Sequence, residues 1–176
     1  MGSMCSVLSK QPAKILVLGI DGAGKTSLLY TLKGNNDMIS PTVGFNVETV
    51  EPLEGVFFEL FDVGGTEKVR NLWIHHIENT KGLVYVVDSN DEEQIEESRK
   101  ELFKFLKNEE MKGIPIVIIA NKQDLPNALS TTDLTNRMGF HTLTSHRWHI
   151  QAASATTGEG VFESMKKMSN MIKRSK

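Results

Sequence analysis

Residues 15–18, 83–87 and 114–120 are unbroken apolar runs, the pattern of strands buried on both faces, and a shorter strand-like segment lies around 148–152. Residues 45–50 alternate between apolar and polar side chains. They are joined to the run 56–61 by Pro52-Leu53-Glu54-Gly55, which predicts an antiparallel hairpin at a sheet edge. Between the apolar runs lie stripes with helical spacing, one through Ile95, Ser98, Arg99, Leu102, Phe103 and Leu106 and another through Val161, Met165, Met168 and Ile172. Strands that alternate with amphipathic helices make an α/β fold with a mostly parallel sheet, helices on both faces and an antiparallel edge hairpin. No repeat, low-complexity tract or interdomain linker interrupts the pattern.

The first apolar run leads into Gly19-Ile20-Asp21-Gly22-Ala23-Gly24-Lys25-Thr26, a complete G-x-x-x-x-G-K-[ST] phosphate loop, and an apolar helix pattern follows it. Glycines are required where backbone N–H groups must come close enough to cradle phosphates at a helix N-terminus. Lys25 then supplies a point charge for the outer phosphates, and the Thr26 hydroxyl a ligand for Mg²⁺. All four fixed positions are present after a strand pattern, so an accidental glycine turn is the weaker reading.

Two later loops extend the site. Asp62-Val63-Gly64-Gly65 ends the second hairpin strand with a carboxylate that can hold Mg²⁺ through water, and Gly65 offers a backbone N–H to a γ-phosphate. Asn121-Lys122-Gln123-Asp124 sits at the C-terminal end of an apolar strand, where open α/β sheets bind ligands. The Asp124 carboxylate can accept from both N1–H and the exocyclic amine of guanine, a pair that adenine lacks. The base is therefore expected to be guanine, with a backbone N–H of Ser154-Ala155-Thr156 meeting its O6.

Composition changes this picture little. The 176 residues, 39% of them hydrophobic, suffice for one domain that buries about 70% of its unfolded surface. A net charge of −2 gives no electrostatic case for nucleic acid, and the basic residues from Lys166 to Lys176 read as a solvated helix face. The single Cys5 cannot form an internal disulfide, and no apolar run reaches membrane-spanning length. A soluble intracellular protein is expected unless lipid is attached.

Gly19 to Thr26, Thr42, Asp62 to Gly65 and Asn121 to Asp124, in that order, resemble the small GTPases of the Ras superfamily. Pro41-Thr42-Val43-Gly44-Phe45-Asn46, Asn71-Leu72-Trp73 and Ala120-Asn121-Lys122-Gln123-Asp124-Leu125-Pro126 look specifically like the Arf and Arf-like family, with similarity from about Lys14 onward. The resemblance implies a P-loop GTPase domain over 14–176, with a six-stranded sheet and five helices, behind an N-terminal arm of 1–13. It implies a monomeric GDP/GTP switch in vesicle traffic, cytoplasmic and reversibly bound to Golgi, other endomembranes or the plasma membrane. Nucleotide contacts would come from Asp21, Gly22, Ala23, Gly24, Lys25, Thr26, Ser27, Thr42, Gly65, Asn121, Lys122, Asp124, Ser154, Ala155 and Thr156. Thr26, Thr42 and, through water, Asp62 would hold Mg²⁺, with Thr42 engaged only in the GTP state. The catalytic set would be Lys25, Thr42, Gly65 and Thr66. The hairpin would be the interswitch, which slides in register between nucleotide states.

Thr66 departs from the pattern, because the family normally has glutamine there to orient the attacking water. A threonine hydroxyl cannot both accept from that water and reach the γ-phosphate, and losing about 3 kcal/mol of transition-state stabilisation slows hydrolysis by about 10²- to 10³-fold. Slow turnover, a binding module with negligible turnover, a chain locked with GTP by substitution, and an activating protein that brings the missing amide, as for the Rap proteins with threonine at this place, all remain open. A P-loop kinase is disfavoured by the guanine-reading loop. The family's partner-reading aromatic triad maps onto Phe45, Phe61 and His76, where Phe, Trp and Tyr are usual, so contacts to exchange factor, activating protein and effectors are expected there and in the switch regions.

Met1-Gly2-Ser3-Met4-Cys5-Ser6 fits the signal for myristoylation of Gly2, and Met4, Val7 and Leu8 would give a short helix one apolar stripe. Met1-Gly2-Ser3 also reads as a cloning remnant ahead of Met4.

Overall fold

The computed structural model describes residues 11–34, 45–53 and 56–175. Six strands, β1 (Ala13–Leu18), β2 (Phe45–Leu53), β3 (Val56–Val63), β4 (Gly82–Asp88), β5 (Ile116–Asn121) and β6 (Trp148–Ala152), form one sheet in the order β2-β3-β1-β4-β5-β6. Only the β2–β3 pair is antiparallel. The edge hairpin and the mostly parallel sheet expected from the apolar pattern are both present.

Because side chains alternate across a strand, each central strand feeds two cores. Leu16, Leu18, Leu83, Tyr85, Ile116 and Ile118 pack beneath α3 (Glu92–Leu106) and α4 (Thr131–Met138). Ile15, Val17, Val84, Val86, Val117 and Ile119 face α1 (Lys25–Lys33) and α5 (Val161–Lys173). A short α2 (Glu67–Arg70) follows β3, and a 3₁₀ turn over Trp73–His76 follows that. The described residues thus hold the five α-helices that the resemblance implied.

Several strand boundaries differ from the sequence expectation, and β5 and β2 show why. The strand predicted from residue 114 starts at Ile116, because the ladder opens with the Pro115 carbonyl accepting from Leu83 N–H, and Ile114 N–H turns back to Met111. β2 continues through Leu53, which pairs with Val56 after a register shift between Val50 and Leu53. Proline within a sheet is tolerated on an edge strand at such an irregularity. The helix α4 escaped the periodicity reading because only Leu134 and Met138 are buried along it. Its ends are nevertheless marked, by the Ser130 hydroxyl that accepts from Asp133 N–H and by Gly139 at φ +66°.

The parallel order points the C-terminal ends of β1, β3, β4, β5 and β6 to one rim of the sheet. Loops that follow these strands therefore meet, although they are far apart in the chain.

Candidate functional site

The phosphate loop leaves β1 and enters α1 through Gly24, whose φ of +100° is left-handed and whose place leaves no room for a Cβ, which would overlap the Asn121 amide. Behind this turn the Lys25 ammonium is buried and donates to the carbonyls of Gly19 (2.8 Å) and Ile20 (3.3 Å). Burial holds its pKa below the ordinary lysine value, against the opposing pull of Asp62 and Asp21. A buried cation in that condition gains from an incoming anion. Ala23 is buried, Gly22 and Asp21 are exposed, and Ser27 is half-buried on α1.

Asp62 lies in β3 beside Val17 of β1 and is fully buried. The Thr26 hydroxyl donates to its Oδ2 over 3.3 Å. A hydroxyl and a buried carboxylate, both hard oxygen donors, side by side suit an Mg²⁺ that Thr26 would hold directly and Asp62 through water. The donor chemistry therefore suits the metal that the sequence implied. Thr42, the third expected ligand, lies outside the described residues, as does Gly2.

Gly65 is pressed against the phosphate loop. A Cβ there would run into the backbone of Gly19, Ile20 and Asp21, and the Gly65 carbonyl accepts from Asp21 N–H at 3.0 Å. Thr66 is exposed at the N-cap of α2, where its carbonyl accepts from Val69 and Arg70 N–H and its hydroxyl makes no cap bond.

Two residues that sequence reasoning missed pin this loop. Trp73, 1% exposed, donates its indole N–H to Gly64 O at 3.0 Å. Arg70, also buried, donates Nε to Gly65 O (2.7 Å), one terminal nitrogen to Glu97 on α3 (2.5 Å) and the other to the Asp21 carboxylate (3.3 Å). Burial opposes the guanidinium charge, but Glu97, Glu101 and Asp21 outweigh it and lift the pKa above the ordinary arginine value. The only advance signal was Trp73 in the family-like Asn71-Leu72-Trp73.

On the far side of the phosphate loop, Asn121 is 2% exposed and ties two loops together. Its amide N–H donates to Ala23 O at 2.8 Å, and its Oδ1 accepts from Ala155 N–H at 2.9 Å. Of the Ser154-Ala155-Thr156 N–H groups, one of which was expected to meet a guanine oxygen, that of Ala155 is engaged by Asn121 in this arrangement. Asp124 stands at the exposed mouth and accepts from the Ser154 hydroxyl at 2.8 Å, with Thr156 exposed beside it. Lys122, held at φ +64°, pairs over 2.6 Å with Asp88 at the end of β4. Asp88 was also missed, although a carboxylate at the C-terminal end of a parallel strand is a signal in itself.

The aromatic positions gather elsewhere. The Phe45 and His76 rings meet at a tilt of 52° with centroids 5.0 Å apart, and the Lys14 ammonium sits 4.5 Å from the centroid of the Phe61 ring. The three residues line one groove of about 830 Å³ with Lys14, Glu59 and Ile172. Burial, then Lys14 and His75, hold the His76 pKa below the usual histidine value, so the ring is neutral near pH 7. Among the described residues no cluster of His, Cys, Asp and Glu could hold a metal by itself, and no helix is long and apolar enough to cross a membrane.

The family model described as the ADP-ribosylation factor family, Arf, matches residues 1–172. Among solved structures, the Arl6 BBS3 small GTPase from Trypanosoma brucei, with bound nucleotide analogue GppNp, is 30% identical. The match covers 94% of this chain and 99% of that one, with a TM-score of 0.87.

Proposed function

This chain belongs to the ADP-ribosylation factor family of Ras-superfamily small GTPases, and from that premise we propose that it is a Mg²⁺-dependent GDP/GTP switch that hydrolyses GTP slowly and recruits effectors to membranes in vesicle traffic. The observation that carries this reading is the Asn121 bridge. One buried side chain joins the phosphate loop at Ala23 to the last loop at Ala155, and so holds phosphate-reading and base-reading groups at a fixed separation on one rim.

Within this reading Asp21 to Ser27 bind the phosphates, with Lys25 as the buried counter-charge. Thr26, Asp62 through water, and Thr42 would hold Mg²⁺, which would offset the charge of the phosphates. Asp124 selects guanine, Lys122 and Ser154 to Thr156 close the base pocket, and Gly65 offers its N–H to the γ-phosphate. Phe45, Phe61 and His76 form the partner surface, and the arm of 1–13 carries membrane affinity through acylated Gly2.

Slow turnover follows from Thr66. Its side chain is exposed and short, so neither reach nor an anchoring bond allows it to orient water. The same observation favours a second reading, a GTP-loaded binding module with negligible turnover. Multiple-turnover phosphate release separates the two.

Extraction and chromatography of the co-purified nucleotide test the core of the proposal. GDP or GTP is expected, and adenine nucleotide in the site would refute it. Gly2→Ala should move the protein from membranes to cytosol in cells, and unchanged fractionation would remove acylation from the account.

A further inference from the structure

We propose that Arg70 is a specificity-determining residue of the nucleotide site, neutralising the Asp21 carboxylate and so setting how strongly the site prefers a nucleoside triphosphate over a diphosphate. The inference rests on the nucleotide-binding reading above. Asp21 is the third residue of a loop whose backbone gathers anions, and its carboxylate is a like charge to any phosphate held there. Its N–H meets the Gly65 carbonyl, which places Asp21 at the side of the loop where the γ-phosphate-sensing glycine sits. An unneutralised carboxylate at that side penalises the extra phosphate of a triphosphate more than the phosphates that both nucleotides share.

Arg70 removes the penalty in a way that few side chains could. Its fork serves three elements at once, the Gly65 carbonyl, the Asp21 carboxylate and Glu97 on α3. Glu97 lies on a helix fixed by the buried Ile95, Ser98 and Leu102, so the guanidinium is held in place rather than wandering as a surface charge. Lysine has one compact ammonium on a flexible stem and cannot reproduce the fork.

A buried arginine that only braced the Gly65 loop would also weaken the triphosphate, but that loss would not depend on Asp21, so the readout is the affinity ratio compared between the single and the double variant. The full-length chain, stripped of nucleotide and saturated with Mg²⁺, is titrated with fluorescent GDP and with a fluorescent non-hydrolysable GTP analogue. Arg70→Gln should weaken the GTP analogue about fivefold more than GDP, and adding Asp21→Asn should return the ratio to within about twofold of the parent. Equal losses for both nucleotides, or a double variant as skewed as the single, would overturn the proposal. If Arg70→Gln shows no cooperative melt, Asp21→Asn alone, which leaves the Arg70 charge without its carboxylate at the loop, should raise the preference for the GTP analogue about twofold, and an unchanged ratio there overturns it as well. A parent chain that bound neither nucleotide would sink the switch reading itself, whereas a parent that binds both, with Arg70 variants of unaltered ratio, sinks this inference alone.

Discussion

Asn121→Ala cuts the bridge between the phosphate loop and the last loop. The substitution removes two hydrogen bonds, 2.8 Å to Ala23 O and 2.9 Å from Ala155 N–H, and both partners lie in backbone that is 5% exposed or less. Each bond contributes about 1 kcal/mol net, and a buried backbone group left without a partner costs about 1–3 kcal/mol. Partial access of water at the rim keeps the sum near the low end, at about 3 kcal/mol. In a chain of this length that lowers Tm by about 6–12 °C. Asn121→Asp should not rescue the loss, because it keeps the acceptor for Ala155 N–H but sets a carboxylate oxygen against the Ala23 carbonyl. The damage lies on the base side of the phosphate loop, so affinities for GDP and for a GTP analogue should fall by the same factor. Thermal melts with and without each nucleotide, alongside titrations, make the assay. An unchanged Tm, or a loss confined to the GTP analogue, would refute the reasoning.

Three further outcomes are expected. Thr66→Gln should raise single-turnover GTP hydrolysis by about 10²-fold with little change in nucleotide affinity or Tm, because position 66 is exposed and its hydroxyl caps nothing; rate and affinity moving together would count against it. Asp124→Asn should exchange preference for guanine for preference for xanthine, since an amide reverses the donor pattern; retained GTP selectivity in competition binding would defeat the assignment. The His76 ring should titrate below pH 6.5 in an NMR pH series. Its folded pKa is depressed, so the unfolded chain binds the proton first and this residue's contribution to stability declines as pH falls from about 6.5 toward the folded pKa. A midpoint at or above 6.5 would contradict the burial of the ring against Phe45 and the repulsion from Lys14 and His75.

Much of the molecule was legible in the chain because it is local chemistry. Unbroken apolar runs declare strands buried on both faces, and the glycines of 19–24 declare a backbone that must approach an anion; neither statement needs to know what lies across the sheet. The guanine-reading loop was legible for the same reason, since Asp124 states its preference by residue type and by its place after a strand. What the tertiary structure decided is pairing across long stretches of chain. Asn121 finds Ala23 98 positions away, and Lys122 finds Asp88 34 positions away, only because parallel strands bring their C-terminal ends to one rim. Arg70 looked like any surface arginine in a charged helix turn, and only the packing of α2 between the phosphate loop and α3 buries it and fixes its three partners. Periodicity records which face of an element is apolar. Which polar groups meet across the rim is set by the order of the strands, and no residue type in this chain carries that order.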